Sequence, residues 1–354
     1  MTAIRQEDKQ PPTPRCTMRA VVLSQPGGPE NLVLSTVPLP RARPGWVRIA
    51  VRAFGLNRSE LHTRLGLSQG VSFPRVLGIE AVGVIDELPE GESDGGLSRG
   101  QQVATMLGGM GRVFDGGYAE YVVVPRRQVI PFDSTLPWAV LGAVLETLQT
   151  AHGSLTIGLD LQRGQTLLIR GGTSALGLAA TTLAKDRGAT VLATTRQPER
   201  AAALRAQGVD HVIIDDGQVA RAVRAIAPEG VDAALELVGT PTLPDTLRAT
   251  RVHGTVCFTG MLSNRWTVSE FYPIDYIPRG VRLTAYSGGA GDLPAPVLQA
   301  YLDRLATGEL AIGPLHLYTL DDIPRAHADL EHNRVFGKLV GVIDPAGLAT
   351  TVQR

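Results

Sequence analysis

Between Met18 and Val124 the chain runs through short apolar stretches, RAVVL, WVRIAVRAFGL, EAVGVIDEL, QQVATML and YAEYVVVP, broken by clusters of Gly, Pro and Asn. Runs of this length between turn residues predict a succession of small strands forming a partly closed sheet or barrel. From Trp138 onward apolar residues recur at helical spacing, at Ala139, Leu141, Ala143 and Leu148. A strict alternation follows. Strands are predicted at TLLIR (166–170), ATVLATT (189–195), HVIID (211–215), VDAALELV (231–238), GTVCFTG (254–260) and VRLTAY (281–286). A helix from Ser174 to Arg187 is stopped by Gly188, and another opens at Pro198 and closes at Gly208. Nearly continuous apolar strands alternating with helices mean a parallel sheet covered on both faces, a doubly wound α/β domain. After Gly289 comes a further helix, PAPVLQAYLDRLATG, and a terminal strand in GKLVGVI that is predicted to return to the first domain. The expected division is residues 1–140, completed by 291–354, and an α/β domain over 141–290.

Length and composition agree with two domains: 354 residues, 44% hydrophobic and 19% charged. Glycine (40) and proline (24) make up about 18% of the chain, well above average usage, which points to many tight turns. The 34 basic residues balance 34 acidic ones, so the chain has no bulk electrostatic reason to bind nucleic acid or an anionic membrane. Two cysteines, Cys16 and Cys257, exclude a disulfide framework and any zinc site built on cysteine pairs. No run approaches a membrane span, and the mixed-charge leader before Met18 lacks the apolar core of a signal peptide. A cytoplasmic protein with a loosely packed leader is expected.

The turn after the first α/β strand reads Arg170-GGTSALG. A dinucleotide fingerprint needs glycine at the sharp turn, a small residue facing the pyrophosphate and glycine where helix meets strand. Gly172 and Gly177 take the outer roles and Ser174 the middle one; Thr173, Ala175 and Leu176 complete the loop. At the end of the second strand, where an acid would hold the 2′-hydroxyl of NAD, stand Thr195 and Arg196, with Arg200 one turn on. Arginine beside hydroxyls suits a 2′-phosphate, so NADP(H) is the expected cofactor. Gly260, where the fifth strand ends, and Lys338, in the terminal segment, are assigned to the same cofactor.

With AFGLNRSELHTRLG (53–66), FPRVLGIEAVGVI (73–85), GGYAEYVVVP (116–125) and GKLVGVI (337–343), the chain resembles the medium-chain dehydrogenase/reductases, in particular their zinc-independent quinone oxidoreductase-like branch. The resemblance implies a GroES-like β domain plus a Rossmann domain, catalysis in the cleft between them, and a homodimer. In zinc-dependent members the ligand positions fall at Asn57, Ile79 and near Glu146; isoleucine cannot bind a metal and an amide replaces thiolate poorly, so no metal is expected. Glu80 is read as a structural hydrogen-bonding acid. His62 matches the relay histidine of many zinc alcohol dehydrogenases, and Ser59 its hydroxyl partner.

Without a metal, acceptors must already be activated: quinones, α,β-unsaturated ketones or aldehydes, or enoyl thioesters. The leading expectation is an NADPH-dependent quinone or enone oxidoreductase, with Asn57 donating a hydrogen bond and His62 supplying a proton. Tyr118 and Trp266 are candidates for the substrate pocket; packing explains both equally well. The alternatives are an enoyl-thioester reductase in a biosynthetic pathway and an NADPH-binding structural or regulatory protein.

Overall fold

In a computed structural model of the chain, residues 16–89 and 96–344 are described, and most of the leader lies outside them. The first domain is organised on the strand Trp46–Leu56, whose residues alternate in burial up to Arg52 and are buried from Ala53 on. It pairs antiparallel with Glu80–Glu87, Tyr121–Pro125 and Lys338–Val342. Leu315–Tyr318 lies outside the last of these, and Gln102–Met106 and Val129–Pro131 extend the other side. A three-stranded sheet centred on Thr17–Leu23 closes over one face. Val47, Ile49 and Val51 meet Leu23, Leu77 and Tyr118 in the core between. Register slips at Arg48/Ile49 and Val51/Ala53 bend the long strand, as β-bulges do, and help the sheet curl.

The second domain is a six-stranded parallel sheet in the order His211–Ile214, Thr190–Thr195, Thr166–Arg170, Val231–Glu236, Thr250–Phe258, Arg282–Ala285. The period of two along each strand divides its residues between two cores. Leu167, Ile169, Val191, Ala193 and Leu235 go to one face, and Leu168, Leu192, Ala234 and Val256 to the other. Burial of each such side chain contributes roughly 1.5–3 kcal/mol, so a strand with two apolar faces is stable only when covered twice. The chain order reverses between Thr166–Arg170 and Val231–Glu236, which opens a crevice at the carboxyl ends of the strands. One strand differs from expectation: it begins at Thr250, not Gly254. Its pairing with the neighbouring strand slips between Val231 and Ala233, and His253 takes a left-handed φ of 65°, so the irregular first half carries no clean alternation.

The helix Trp138–Gly153 joins the domains. Gly142 lies so close to the first sheet that a Cβ there would stand 2.8 Å from that of Ala53. Leu141, Val144, Leu145 and Leu148 share one core with Ala53, Val82 and Val340 of that sheet and with Leu298, Tyr301 and Leu302 of helix Ala295–Ala306. None of the helices in the described residues is long and apolar enough to cross a membrane.

Candidate active site

The nucleotide crevice begins where Thr166–Arg170 ends. Gly171 takes φ 91°, and a Cβ on Gly172 would stand 2.8 Å from that of Ala193. A Cβ on Gly177 would stand 2.7 Å from the carbonyl oxygens of Gly171 and Gly172, so the helix Ala175–Asp186 sits directly on the turn. Ser174 caps that helix: its hydroxyl accepts from Gly177 N–H at 3.0 Å and donates to the Gly171 carbonyl at 2.9 Å. The first-turn N–H groups of Ala175 and Leu176 precede any intrahelical acceptor and face the crevice's end of the macrodipole, the setting that binds a phosphate. Across it, Gly260 lies against the Leu237 carbonyl, where a Cβ would come within 2.6 Å. These bare backbones form a cradle that side chains would fill, and it fits a nicotinamide dinucleotide.

At the adjoining strand end the Thr195 hydroxyl is engaged by its own turn, accepting from Gln197 N–H at 3.1 Å. Arg196 is exposed. The Arg200 guanidinium lies over the Phe336 ring at 5.6 Å and donates to the Asn333 carbonyl at 3.4 Å. Arg58, from the first domain, donates to Asn333 Oδ1 at 2.6 Å. Burial lowers the pKa of Arg58 and the positive charge of Arg196 lowers it further. Guanidinium groups of both domains therefore converge at this end of the crevice.

A second polar cluster lies where the domains meet. Lys338 is 6% exposed and its ammonium donates to Asn57 Oδ1 at 2.5 Å, Thr147 Oγ1 at 2.9 Å and Glu80 Oε1 at 3.1 Å. Because an ammonium only donates, the orientation of the Asn57 amide is fixed. Asn57 Nδ2 donates to Glu80 Oε1 at 2.8 Å, which leaves its second hydrogen for another acceptor. Glu80 Oε2 accepts from the backbone N–H of Glu146 at 2.8 Å. Gly55 makes room for the pair: a Cβ there would stand 2.1 Å from Glu80 Oε1 and 2.6 Å from Lys338 Cε. Next to them Glu60 accepts from the backbone N–H groups of Asn57 and Ile79 at 3.1 and 3.0 Å. Burial pushes its pKa up to about 8, against the pull of the Ile79 N–H and with help from Glu80. Glu146 is half-buried; its Oε1 accepts from the Thr150 hydroxyl at 2.9 Å, and burial raises its pKa although Lys338 opposes this.

The structure separates several residues that the sequence grouped. His62 is 4% exposed, with Nε2 2.9 Å from Asn264 Oδ1 and its ring edge-on to Trp266 at 4.7 Å between centroids. Burial lowers its pKa, partly offset by Asn264. Ser59 accepts instead from Arg112 at 2.5 Å, so the expected hydroxyl–imidazole relay is not assembled. Tyr118 belongs to the core of the first domain: fully buried, packed against Phe54 and hydrogen-bonded to His327 Nε2 at 3.1 Å, it offers no surface to a substrate. Trp266 is 41% exposed beside His62. Lys338, expected at the cofactor, has all three donors engaged in the cluster. Sequence reasoning missed Thr147, Asn264, Asn333 and Arg58 as site residues, and met Glu146 only as a position near a metal ligand of zinc-dependent members. The resemblance had set Asn57 and Glu146 at ligand positions of one site, and Lys338 stands out as one of only three lysines in the chain.

The donor set does not fit a zinc ion. Ile79 presents hydrocarbon, Asn57 is held at both ends of its amide, and the cluster is already centred on an ammonium. Among the described residues no three His, Cys, Asp or Glu side chains gather as metal ligands.

Comparison with known proteins identifies both halves. Residues 43–134 match the alcohol dehydrogenase GroES-like domain and residues 175–303 the zinc-binding dehydrogenase domain. The chain is 26% identical to a quinone oxidoreductase of Lama guanicoe, covering 91% of this chain and 97% of that protein. It is 29% identical to a 2-haloacrylate reductase of a Burkholderia species over 66% of this chain and 71% of the relative. It is 30% identical to the spectinabilin polyketide synthase system protein NorB of Streptomyces orinoci over 90% of this chain, yet spans only 14% of that protein. A mycobacterial protein solved with NADPH superposes with a TM-score of 0.82 at 26% identity, covering 92% of this chain and 99% of that one. A GroES-like β domain whose last strand is supplied by the chain's end, a Rossmann sheet with a glycine cradle at its switch point, and these relatives place the chain in the medium-chain dehydrogenase/reductase superfamily, as an oxidoreductase of its quinone oxidoreductase-like branch.

Proposed function

We propose that the protein is a metal-independent, NADP(H)-dependent reductase of quinones or α,β-unsaturated carbonyl compounds. The observation that carries this reading is the buried Lys338–Glu80–Asn57 cluster: its hydrogen bonds occupy the region where zinc-dependent relatives hold their metal, and it leaves one Asn57 N–H to polarise an acceptor. A single neutral donor stabilises developing negative charge less than a metal does, so the acceptor must be activated by conjugation. When bound, the nicotinamide supplies a hydride. The chain's own residues bind and orient: the Ser174 turn and the first helical turn hold pyrophosphate, and Gly260 lets the cofactor lie close to backbone. Arg196 and Arg200, with Thr195 and not an acid closing the strand, favour a 2′-phosphate over a free 2′-hydroxyl. Trp266, braced by His62, borders the substrate side.

The names of the quinone oxidoreductase and 2-haloacrylate reductase relatives support a small conjugated acceptor. The NorB similarity favours a second reading, reduction of an enoyl thioester. A homodimer through the edge strand Arg282–Ala285 accompanies either reading. Steady-state oxidation of NADPH and NADH is measured against 1,4-benzoquinone, a 2-alkenone and crotonyl-CoA, with and without EDTA. The expected result is turnover with NADPH that ignores the chelator and ranks quinone or alkenone first. Preference for crotonyl-CoA selects the second reading. Loss of activity in EDTA refutes the metal-free site, and binding of NADPH without turnover of any acceptor refutes the enzyme.

A further inference from the structure

Reduction of a conjugated carbonyl needs one proton beside the hydride, and His62 is poorly placed to give it: the ring is buried and its Nε2 is committed to Asn264. We propose that Glu146 is a catalytic acid, delivering that proton from Oε2 to the reduced substrate at the floor of the interdomain cleft. The role rests on the reductase function proposed above. From Leu141 to Gln149 the linking helix is buried at every position except Glu146, and the next opening, Thr150, lies one turn on. These two residues are the stripe of that helix segment left partly open, where the domains meet. The position is fixed from both domains. The first domain holds the Glu146 N–H on Glu80 Oε2 and Thr147 on Lys338. On the Rossmann side, Gln149 Nε2 donates to the Tyr286 hydroxyl at 3.0 Å, just past the edge strand.

The carboxyl is incompletely satisfied. Oε1 accepts from Thr150, while Oε2 has no protein donor among the described residues. The groups facing it are Glu80 and Lys338 from the first sheet and Tyr286 from the Rossmann side. Glu80 and Lys338 neutralise one another, Glu60 is held by backbone N–H groups, and among the described residues no cation is left to pair with Glu146. Its raised pKa agrees with a carboxyl that keeps its proton. Hydride addition at the β-carbon of an enone moves the C=C electron pair toward oxygen, giving an enolate. As the enolate re-forms the carbonyl, a C–H bond forms at the α-carbon and the Oε2–H bond of Glu146 breaks. The electron pair stays on the carboxylate, and water returns the proton between turnovers.

The test compares wild type with Glu146→Gln and Glu146→Asp. Infrared difference spectra of the cofactor-free proteins should contain a protonated-carboxyl band in wild type, titrating above the ordinary glutamate range and missing from Glu146→Gln. With a 2-alkenone, kcat should fall about a hundredfold in Glu146→Gln while the NADPH dissociation constant is unchanged. The decline of wild-type kcat at alkaline pH should vanish in Glu146→Gln, and Glu146→Asp should recover part of the rate. An ionised Glu146 at neutral pH, or Glu146→Gln turnover within about threefold of wild type, overturns the role while leaving the reductase function standing. A wild type that reduces no acceptor removes that function, and this role with it.

Discussion

Replacing Lys338 by Met tests whether an ion pair, and not packing alone, joins the chain's end to the site. Methionine keeps most of the buried stem and deletes the ammonium. Glu80 then loses one of its three donors but keeps Asn57 Nδ2 and the Glu146 N–H. Stranding one partner of a buried pair costs about 3–5 kcal/mol, and the two surviving donors put Glu80 near the lower end, about 3 kcal/mol. Asn57 Oδ1 and Thr147 Oγ1 also lose their donor, adding about 1 kcal/mol. A loss of about 4 kcal/mol should lower the first domain's Tm by about 8–16 °C. Urea unfolding followed by fluorescence measures it, for Lys338→Met, Glu80→Gln and the double variant. Adding Glu80→Gln to the Lys338→Met variant removes the stranded charge and should restore at least about 2 kcal/mol. A cycle that is additive to within about 0.5 kcal/mol refutes the reasoning, because two residues that do not sense each other cannot be a buried pair.

Gly55→Ala places a Cβ 2.1 Å from Glu80 Oε1 and should split the same pair, costing about 3 kcal/mol in the same urea assay and most of the turnover. Arg200→Ala should weaken NADPH about tenfold or more and leave NADH within about twofold, since only the 2′-phosphate loses a charged donor; fluorescence titration with both cofactors reads it. Glu60 has a folded-state pKa of about 8, raised above the unfolded value near about 4.3, so its contribution to stability is full below about pH 4 and is lost as pH rises toward 8. Urea midpoints of wild type should therefore decline from about pH 5 to about pH 8, and Glu60→Gln should flatten that decline.

The α/β half was readable because its signals are local. TLLIR became the strand Thr166–Arg170 without adjustment, and Gly188 and Gly208 follow their helices as helix-stop signals predict. The GroES-like half was readable as many short strands, and the terminal strand as returning to it, but that Lys338–Val342 pairs with Trp46–Leu56 is encoded by no local pattern. The same distance hid the Lys338–Glu80–Asn57 cluster. Asn57 and His62 were visible as chemistry, yet Lys338 was assigned to the cofactor, because its acceptors, Glu80 and Thr147, lie 258 and 191 positions away. Tyr118 shows the limit of a local pattern: pocket and packing were equally good readings, and its full burial against Phe54, ahead of the strand Tyr121–Pro125, makes it a packing residue.

The return of the chain's end to the first sheet sets an order for synthesis. The Rossmann strands, Thr166 to Ala285, are contiguous in sequence and can assemble as soon as they leave the ribosome. The GroES-like half cannot. Until Lys338–Val342 emerges, the carboxyl half of the strand Trp46–Leu56 shows an unpaired apolar edge and Glu80 lacks its counter-ion, although the Rossmann strands have already been made. Of the two halves the GroES-like one thus closes second, and its closure and the completion of the Lys338 cluster are one event.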